Sequence, residues 1–148
     1  MKEKDTYKIS SQKAVIEEEY TGDLKRKADT HAERLRLVDK YADLEVPMYA
    51  RTSISGGGYF PPRVTIDVKT HENFKEFRKT LKNFGTATIE KVIHMWGDRF
   101  DVTYKFSKDE EFFVTFATTE PEKFLDPDCR IETKYSESKY IICGVKNE

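Results

Sequence analysis

The chain has few cysteines, glycines and prolines, and no long apolar run. Of its 148 residues only two are Cys, seven are Gly and five are Pro. Cys129 and Cys143 are too few and too far apart for a zinc-finger pattern. No stretch approaches the roughly 20 apolar residues of a membrane-spanning helix, and the charged N-terminus lacks the apolar region of a secretory signal. We therefore expect a cytoplasmic protein with reduced thiols, outside the membrane.

The charge is nearly balanced overall but unevenly distributed along the chain. The net charge is −1. Residues 44–85 carry seven cations and four anions, whereas residues 86–148 carry nine cations and thirteen anions. This asymmetry predicts a basic surface beside an acidic one, and it excludes a strongly basic packaging protein and a strongly acidic nucleic-acid mimic. Ten Phe and eight Tyr indicate a folded domain despite 36% charged residues.

Two segments have the apolar periodicity of helices. The first, at about 23–43, repeats small and aliphatic residues at helical spacing. The second follows Thr70, a predicted N-cap, and precedes Gly85, a predicted C-terminal glycine. Its apolar stripe is the clearest pattern in the sequence and consists of Phe74, Phe77, Leu81 and Phe84.

The remaining pattern is that of strands. Alternating apolar residues predict strands at 64–68, 89–96, 100–106 and 112–116, with two more around Ile131 and Ile141. The sequence therefore predicts an α+β fold, an antiparallel β-meander of about five or six strands. One amphipathic helix packs on the sheet, beside an N-terminal helix. We expect one domain over 1–148, with 1–22 flexible and 44–60 an irregular Gly-rich segment.

The Gly-rich segment is the first candidate binding site. Consecutive glycines expose backbone N–H groups that are able to hold a phosphate or another partner group. The candidate residues are Arg51, Ser53, Gly56, Gly57, Gly58 and Tyr59. The segment lacks the Lys-Ser/Thr pair and following helix of a P-loop. A flexible or hairpin-like loop without a ligand is the favoured interpretation.

A basic stripe on the second helix is the other candidate. At 100° per residue its cations fall within one arc of about 100°, and they are Lys75, Arg78, Lys79 and Lys82. Such a stripe suits a nucleic-acid backbone, a nucleotide phosphate or an acidic protein surface. A merely solvated helix face is the more common explanation.

No pattern indicates catalysis or a metal site. The three histidines lack metal-ligand spacing, and no serine lies in a nucleophile elbow. A catalytic pair built from carboxylates distant in the sequence stays open. Trp96, beside a Gly97-Asp98 turn, is interpreted as a core residue, with an exposed binding anchor as the alternative.

A short chain rich in Lys, Glu and aromatics, without catalytic motifs, is similar to the accessory proteins of bacteriophages and other mobile elements. Many of those proteins bind and inhibit host factors. The resemblance implies a non-enzymatic binding protein that inhibits a bacterial host (defence) protein. The alternative is a nucleotide- or nucleic-acid-binding domain that uses the Gly-rich segment and the basic stripe. No cofactor is expected, and a homodimer through the N-terminal helix stays open.

Overall fold

The computed structural model describes residues 6–21, 28–57, 60–124, 130–134 and 138–142. Three helices are present in this part of the chain: α1 (Gln12–Thr21), α2 (Ala28–Lys40) and α3 (His71–Arg78). The strands are β1 (Thr6–Lys8), β2 (Glu45–Pro47), β3 (Arg51–Gly57), β4 (Phe60–Lys69), β5 (Ala87–His94), β6 (Phe100–Phe106), β7 (Asp109–Thr118), β8 (Arg130–Lys134) and β9 (Ser138–Ile142). The predicted α+β class is confirmed.

The central sheet has five strands in the order β3-β4-β7-β6-β5. Its pairs are antiparallel except β4 with β7, which are parallel. The prediction of a wholly antiparallel meander is therefore wrong at this pair. The connection through α3 returns the chain across the sheet, so that β5 runs in the same direction as β4. Three strands joined by tight turns then bring β7 beside β4 in that direction.

The two faces of the central sheet differ in chemistry because successive side chains of a strand point to opposite sides. One face carries the aliphatic and aromatic core of β4 and β7, consisting of Val64, Ile66, Val68, Phe112, Val114 and Phe116, all essentially inaccessible to solvent. Burial of each such side chain contributes roughly 1.5–3 kcal/mol. The other face, here called the polar face, carries Arg51, Ser53 and Ser55 of β3 and Thr103 and Lys105 of β6.

Helix α3 packs on the apolar face. The Thr70 hydroxyl accepts the Asn73 backbone N–H at 3.1 Å, as predicted for an N-cap. Phe74 stacks on Tyr104 with ring centroids 4.3 Å apart, and Phe77 is buried. The α-helix ends at Arg78, before Gly85, and the apolar stripe continues through a 3-10 turn at Lys82–Phe84.

The N-terminal segment is part of the core. β1 pairs with β2, and Ile9 and Ile16 are buried. Within the predicted flexible segment 1–22, residues 6–21 contain β1 and α1. The predicted irregular segment 44–60 likewise contains β2 and β3, which pair with β1 and β4. Pairing partners distant in the sequence decide both cases.

The apolar side of helix α2 packs into the core of the same chain. Leu37, Val38 and Tyr41 are buried in the same core as the sheet, so a homodimer through this helix would need another of its faces. The Arg34 side chain donates from Nε to the Ile54 carbonyl at 2.9 Å. This bond ties α2 to β3, the edge strand of the sheet, and satisfies a carbonyl group of that edge.

Polar contacts join α2 to the start of β7. Arg36 and Lys40 both bind the Glu111 carboxylate, at 2.6 and 2.9 Å. These two cations hold the pKa of Glu111 below its usual range, with the Arg36 hydrogen bond as the main cause. The buried Tyr41 hydroxyl lies 2.7 and 2.8 Å from the two carboxylate oxygens of Asp109. Burial, followed by this hydrogen bond, raises the pKa of Tyr41.

Candidate functional site

Most of the exposed large apolar side chains in the described residues lie at one end of the central sheet. The strand registers place the start of β3, the ends of β4, β7 and β5, and the start of β6 at this end. Its connections include the turn before β3 and the β5–β6 turn at 95–99. Of the six strongly exposed large apolar side chains among the described residues, five belong here: Met48, Tyr49, Ile93, Met95 and Trp96. We call this the hairpin end of the sheet.

A cleft of about 640 Å³ opens at the hairpin end. Four separate segments form it, and its lining residues are Arg51, Asp67, Lys69, Arg99, Ala117, Thr118 and Thr119. Three cations and one carboxylate give this lining a formal charge of +2. The cleft lies beyond the carboxyl ends of the parallel strands β4 and β7, the position where open parallel sheets bind ligands. We call it the cationic cleft.

Lys69 has an unusual backbone conformation. Its φ angle is +76°, and no other non-glycine residue in the described part of the chain has a positive φ. A left-handed conformation costs an L-residue roughly 1–2 kcal/mol. The Asp67 carboxylate holds this conformation by accepting the Lys69 backbone N–H at 3.1 Å. The strain places a cation in the cleft where a glycine would be the less costly residue.

Arg99 links the cleft to the β5–β6 turn. Its guanidinium carbon lies 5.0 Å from the centroid of the Trp96 ring, within range of a cation–π interaction. Its Nε lies 3.8 Å from an Asp101 carboxylate oxygen. Burial raises the pKa of Asp101, and Asp67 adds to this rise while Arg99 opposes it. The cation therefore stabilises a half-buried carboxylate and a solvent-exposed indole together.

The β5–β6 turn presents an apolar surface to solvent. Trp96 is 63% exposed, Ile93 44% and Met95 41%. With Arg99 they form what we call the hairpin surface. The prediction that Trp96 belongs to the core is therefore wrong. Phe100, rather than Trp96, is buried here, and its ring lies 5.0 Å from that of the half-buried His94, whose Nε2 lies 2.8 Å from the Gly97 carbonyl oxygen. The two consecutive apolar residues Met95 and Trp96 beside a turn were the available signal, and the pattern of a single sequence does not distinguish them from core residues.

The Gly-rich segment is a hairpin rather than an isolated loop. β3 pairs with β4 from Arg51 opposite Asp67 to Gly57 opposite Phe60, with a bulge between Ser55 and Gly57. Gly56 has φ +108°, and a Cβ placed there would lie 2.2 Å from Pro62 Cα. The glycine is therefore required by chain geometry. Gly58 and Tyr59 lie outside the described residues.

The structure separates Arg51 from the basic stripe. Thr52 and Ile54 of β3 pair with buried residues of β4 and therefore lie on the apolar face. Arg51 and Ser53, which alternate with them, lie on the polar face. The predicted basic stripe lies on the opposite side, with α3 on the apolar face: Lys75 and Arg78 are on the helix, whereas Lys79 and Lys82 follow its end, and all four are exposed. The two sets of predicted residues therefore form two surfaces rather than one.

A second hollow lies at the opposite end of the polar face. It measures about 570 Å³ and includes Ser55, Gly56, Arg63 and Phe113 in its lining. The Arg63 guanidinium carbon lies 3.5 Å from the Phe113 ring centroid, and Arg63 pairs with Glu90 at 3.2 Å. Because this cation already has an aromatic and an anionic partner, the cationic cleft is the better candidate for a charged ligand.

The described part of the chain has neither a metal-ligand cluster nor a membrane-spanning helix. No group of three or more His, Cys, Asp or Glu side chains there is placed to hold a metal ion. None of the helices described is long and apolar enough to cross a membrane. Cys129 and Cys143 lie outside the described residues.

No protein-family model, curated protein or solved structure matches this chain. Its function is therefore inferred from its own residues.

Proposed function

We propose that the chain is a non-enzymatic binding protein and that its partner is a protein docked on the hairpin surface. The observation that supports this most strongly is the solvent exposure of the only tryptophan in the chain, Trp96, beside the exposed Ile93 and Met95. Trp, Met and Arg are enriched at the buried centres of protein interfaces, and large exposed apolar side chains that adjoin one another mark binding sites.

The charge around the hairpin surface indicates the partner's chemistry. Arg99 contacts the indole, and the cationic cleft with Arg51 and Lys69 adjoins it. A complementary partner has an apolar pocket for the indole and carboxylates at its rim. In the specific form of the proposal, the partner is a bacterial host (defence) protein and binding inhibits it, as in the accessory proteins of phages.

A paired capture experiment tests this proposal. The tagged chain, its Trp96→Ala variant and a Val15→Ala control are each incubated with bacterial lysate, and the absorbance of the eluate at 260 nm is recorded. Val15 is 46% exposed on α1, so the control truncates an exposed apolar side chain away from the hairpin end. We expect a stoichiometric protein with the wild type and the control. The captured protein is then purified and its Kd measured.

For the purified pair, we expect Trp96→Ala to weaken binding by about 30-fold or more, the size of an interface hot spot. Equal affinity of Trp96→Ala and wild type would refute docking on the hairpin surface. Reduced activity of the partner on addition of the wild-type chain, but not of Trp96→Ala, would support the inhibitory form. Undiminished partner activity at saturation would contradict that form.

A second candidate function, nucleotide or nucleic-acid binding, is favoured by the exposed basic stripe and by the cationic character of the cleft. In the stripe, Lys79 lies 3.6 Å from Glu76 in an ion pair whose side chains are both largely exposed. Such pairs are weak, so the stripe stays accessible to phosphates. Reversal of charge at Lys75, Lys79 and Lys82, with affinity measured against salt concentration, tests the stripe. Salt-insensitive binding would count against it.

A further inference from the structure

We propose that the cationic cleft binds the phosphate of a nucleotide whose base stacks on Trp96. The site differs from the sequence-derived candidate, because it uses neither the glycines nor the basic stripe. Of those candidates it retains Arg51 alone, and it adds Lys69, Arg99 and Trp96.

First, the cations of the cleft have little internal neutralisation. The side chains of Arg51 and Lys69 form no ion pair with any side chain in the described ranges, and the nearest ion-pair partner of Arg99, Asp101, is 3.8 Å away. Three cations and one carboxylate line the cleft, and a bound anion would offset the excess positive charge. Two guanidinium groups suit phosphate in particular, because their planar N–H forks match its oxygens.

Second, the backbone strain at Lys69 is located in this cleft and nowhere else in the described chain. Asp67 uses its carboxylate to hold the left-handed turn at Lys69. Strained non-glycine residues that are held by neighbouring groups concentrate at ligand sites. A lysine side chain therefore occupies this position despite the cost of its backbone conformation.

Third, the cleft has hydroxyl donors at its rim. Thr118 Oγ1 accepts the Glu120 backbone N–H at 3.0 Å, and its own O–H proton is not used in that bond. Thr119 also lines the cleft and is exposed. Threonine hydroxyls commonly contribute to phosphate binding beside Arg and Lys.

Fourth, the size of the cleft and the adjoining indole favour a nucleotide over a bare phosphate. A volume of about 640 Å³ lies within the range of small-molecule sites. Trp96 contacts Arg99, a lining residue, and leaves 63% of its surface open to solvent. An exposed aromatic ring next to a cationic groove is the arrangement on which nucleic-acid bases stack.

The single tryptophan supplies the assay, because intrinsic tryptophan fluorescence reports on Trp96 alone. The probes are adenosine monophosphate, adenosine, inorganic phosphate and a single strand of five deoxyadenosines, each titrated into the full chain. We expect saturable quenching by adenosine monophosphate, with a Kd at least 10-fold below that of inorganic phosphate measured by calorimetry. Adenosine should bind at least 10-fold more weakly than its monophosphate.

Three variants identify the site. Lys69→Gly removes the cation but keeps the left-handed turn, so its melting temperature should be unchanged or higher while its Kd for adenosine monophosphate rises at least 10-fold. Trp96→Ala, followed by calorimetry, should bind the monophosphate no better than inorganic phosphate. Lys82→Gln removes an exposed cation of the basic stripe and should bind like wild type. Lys69→Gly should also reduce the slope of log K against log salt by about 1.

Failure of adenosine monophosphate to quench, equal affinity for monophosphate and inorganic phosphate, or wild-type binding by a stably folded Lys69→Gly would each overturn the proposal. If the monophosphate and the pentanucleotide bind equally, the source is a free nucleotide; if the strand binds much more tightly, the source is single-stranded nucleic acid. The protein partner proposed above shares Trp96 with this site, so Lys69→Gly, which leaves Ile93, Met95 and Trp96 in place, is the variant that separates the two proposals.

Discussion

Removal of one hydroxyl from the core should destabilise the fold by a calculable amount. Tyr41 is 6% exposed and its hydroxyl lies within 2.8 Å of both Asp109 carboxylate oxygens. Its ring lies 5.5 Å from that of Phe112 and 6.2 Å from that of Phe84. In Tyr41→Phe these ring contacts remain, and only the hydrogen bond to the carboxylate is lost.

A hydrogen bond to a charged group contributes about 1.5–3 kcal/mol. Asp109 retains the Glu111 backbone N–H at 3.0 Å and Lys40 at 3.6 Å, so its carboxylate stays partly satisfied. We therefore expect Tyr41→Phe to lower the free energy of unfolding by about 2 kcal/mol. For a domain of this size that corresponds to a fall in melting temperature of roughly 4–8 °C.

Urea unfolding followed by circular dichroism, with Tyr41→Phe, Asp109→Asn and the double variant, measures the effect. The coupling energy of the cycle should be at least about 1 kcal/mol, since the two groups are in direct contact. Additive single variants, or a loss below about 0.5 kcal/mol for Tyr41→Phe, would refute the reasoning.

The pH dependence gives a second check on the same bond. The pKa of Tyr41 is raised in the folded protein by burial and by Asp109. The stability that results is fully present below the unfolded tyrosine pKa of about 10 and is lost as the pH rises further. The difference between wild type and Tyr41→Phe should therefore shrink above about pH 10. A difference that stays constant to pH 11 would contradict this assignment.

Two further predictions concern backbone geometry and acid stability. Gly56→Ala should cost about 3 kcal/mol or more, because its Cβ would lie 2.2 Å from the backbone of Pro62 at φ +108°. Gly97 has φ +58°, and a Cβ placed there would have no neighbouring atom within 4 Å. Gly97→Ala should therefore lower the free energy of unfolding by only about 1 kcal/mol. Similar melting temperatures for the two variants would contradict the hairpin geometry. Burial against aromatic rings such as Phe124, 4.3 Å away, lowers the pKa of His71, with Lys75 as a second cause. The stability that results is present above the unfolded histidine pKa of about 6.5 and is lost as the pH falls. His71→Gln should therefore reduce the decline in the urea midpoint between pH 7.5 and 5. An unchanged decline would contradict a contribution of His71 to acid destabilisation.

Patterns local in the sequence predict several strands and the start of one helix. The alternation in β4, β6 and β7 predicts their strands, and the Thr70 cap marks the start of α3. These patterns depend on contacts within a few residues or on one buried face, so they can be recognised without knowing the fold. The α+β class follows from the same periodicities.

The candidate site, in contrast, was decided by the tertiary structure. Arg51, Lys69, Arg99 and Thr118 come from four segments, and only the strand registers bring them to one cleft. The sequence places Arg51 with the basic stripe, whereas alternation along β3 puts it on the opposite face of the sheet. Trp96 was assigned to the core because tryptophan is buried on average. That average carries no information on whether a particular hairpin turn is exposed to solvent.

Sequence patterns alone thus specify an α+β fold with one strongly patterned helix, many aromatic residues and an uneven charge along the chain. The parallel pairing of β4 with β7, and the cleft beyond the carboxyl ends of these strands, emerge only from the three-dimensional fold. The reason is that strand pairing joins residues far apart in the chain through backbone hydrogen bonds, which are nearly the same for every side chain. The apolar pattern of a strand therefore predicts which of its residues are buried much better than it predicts which strand pairs with it.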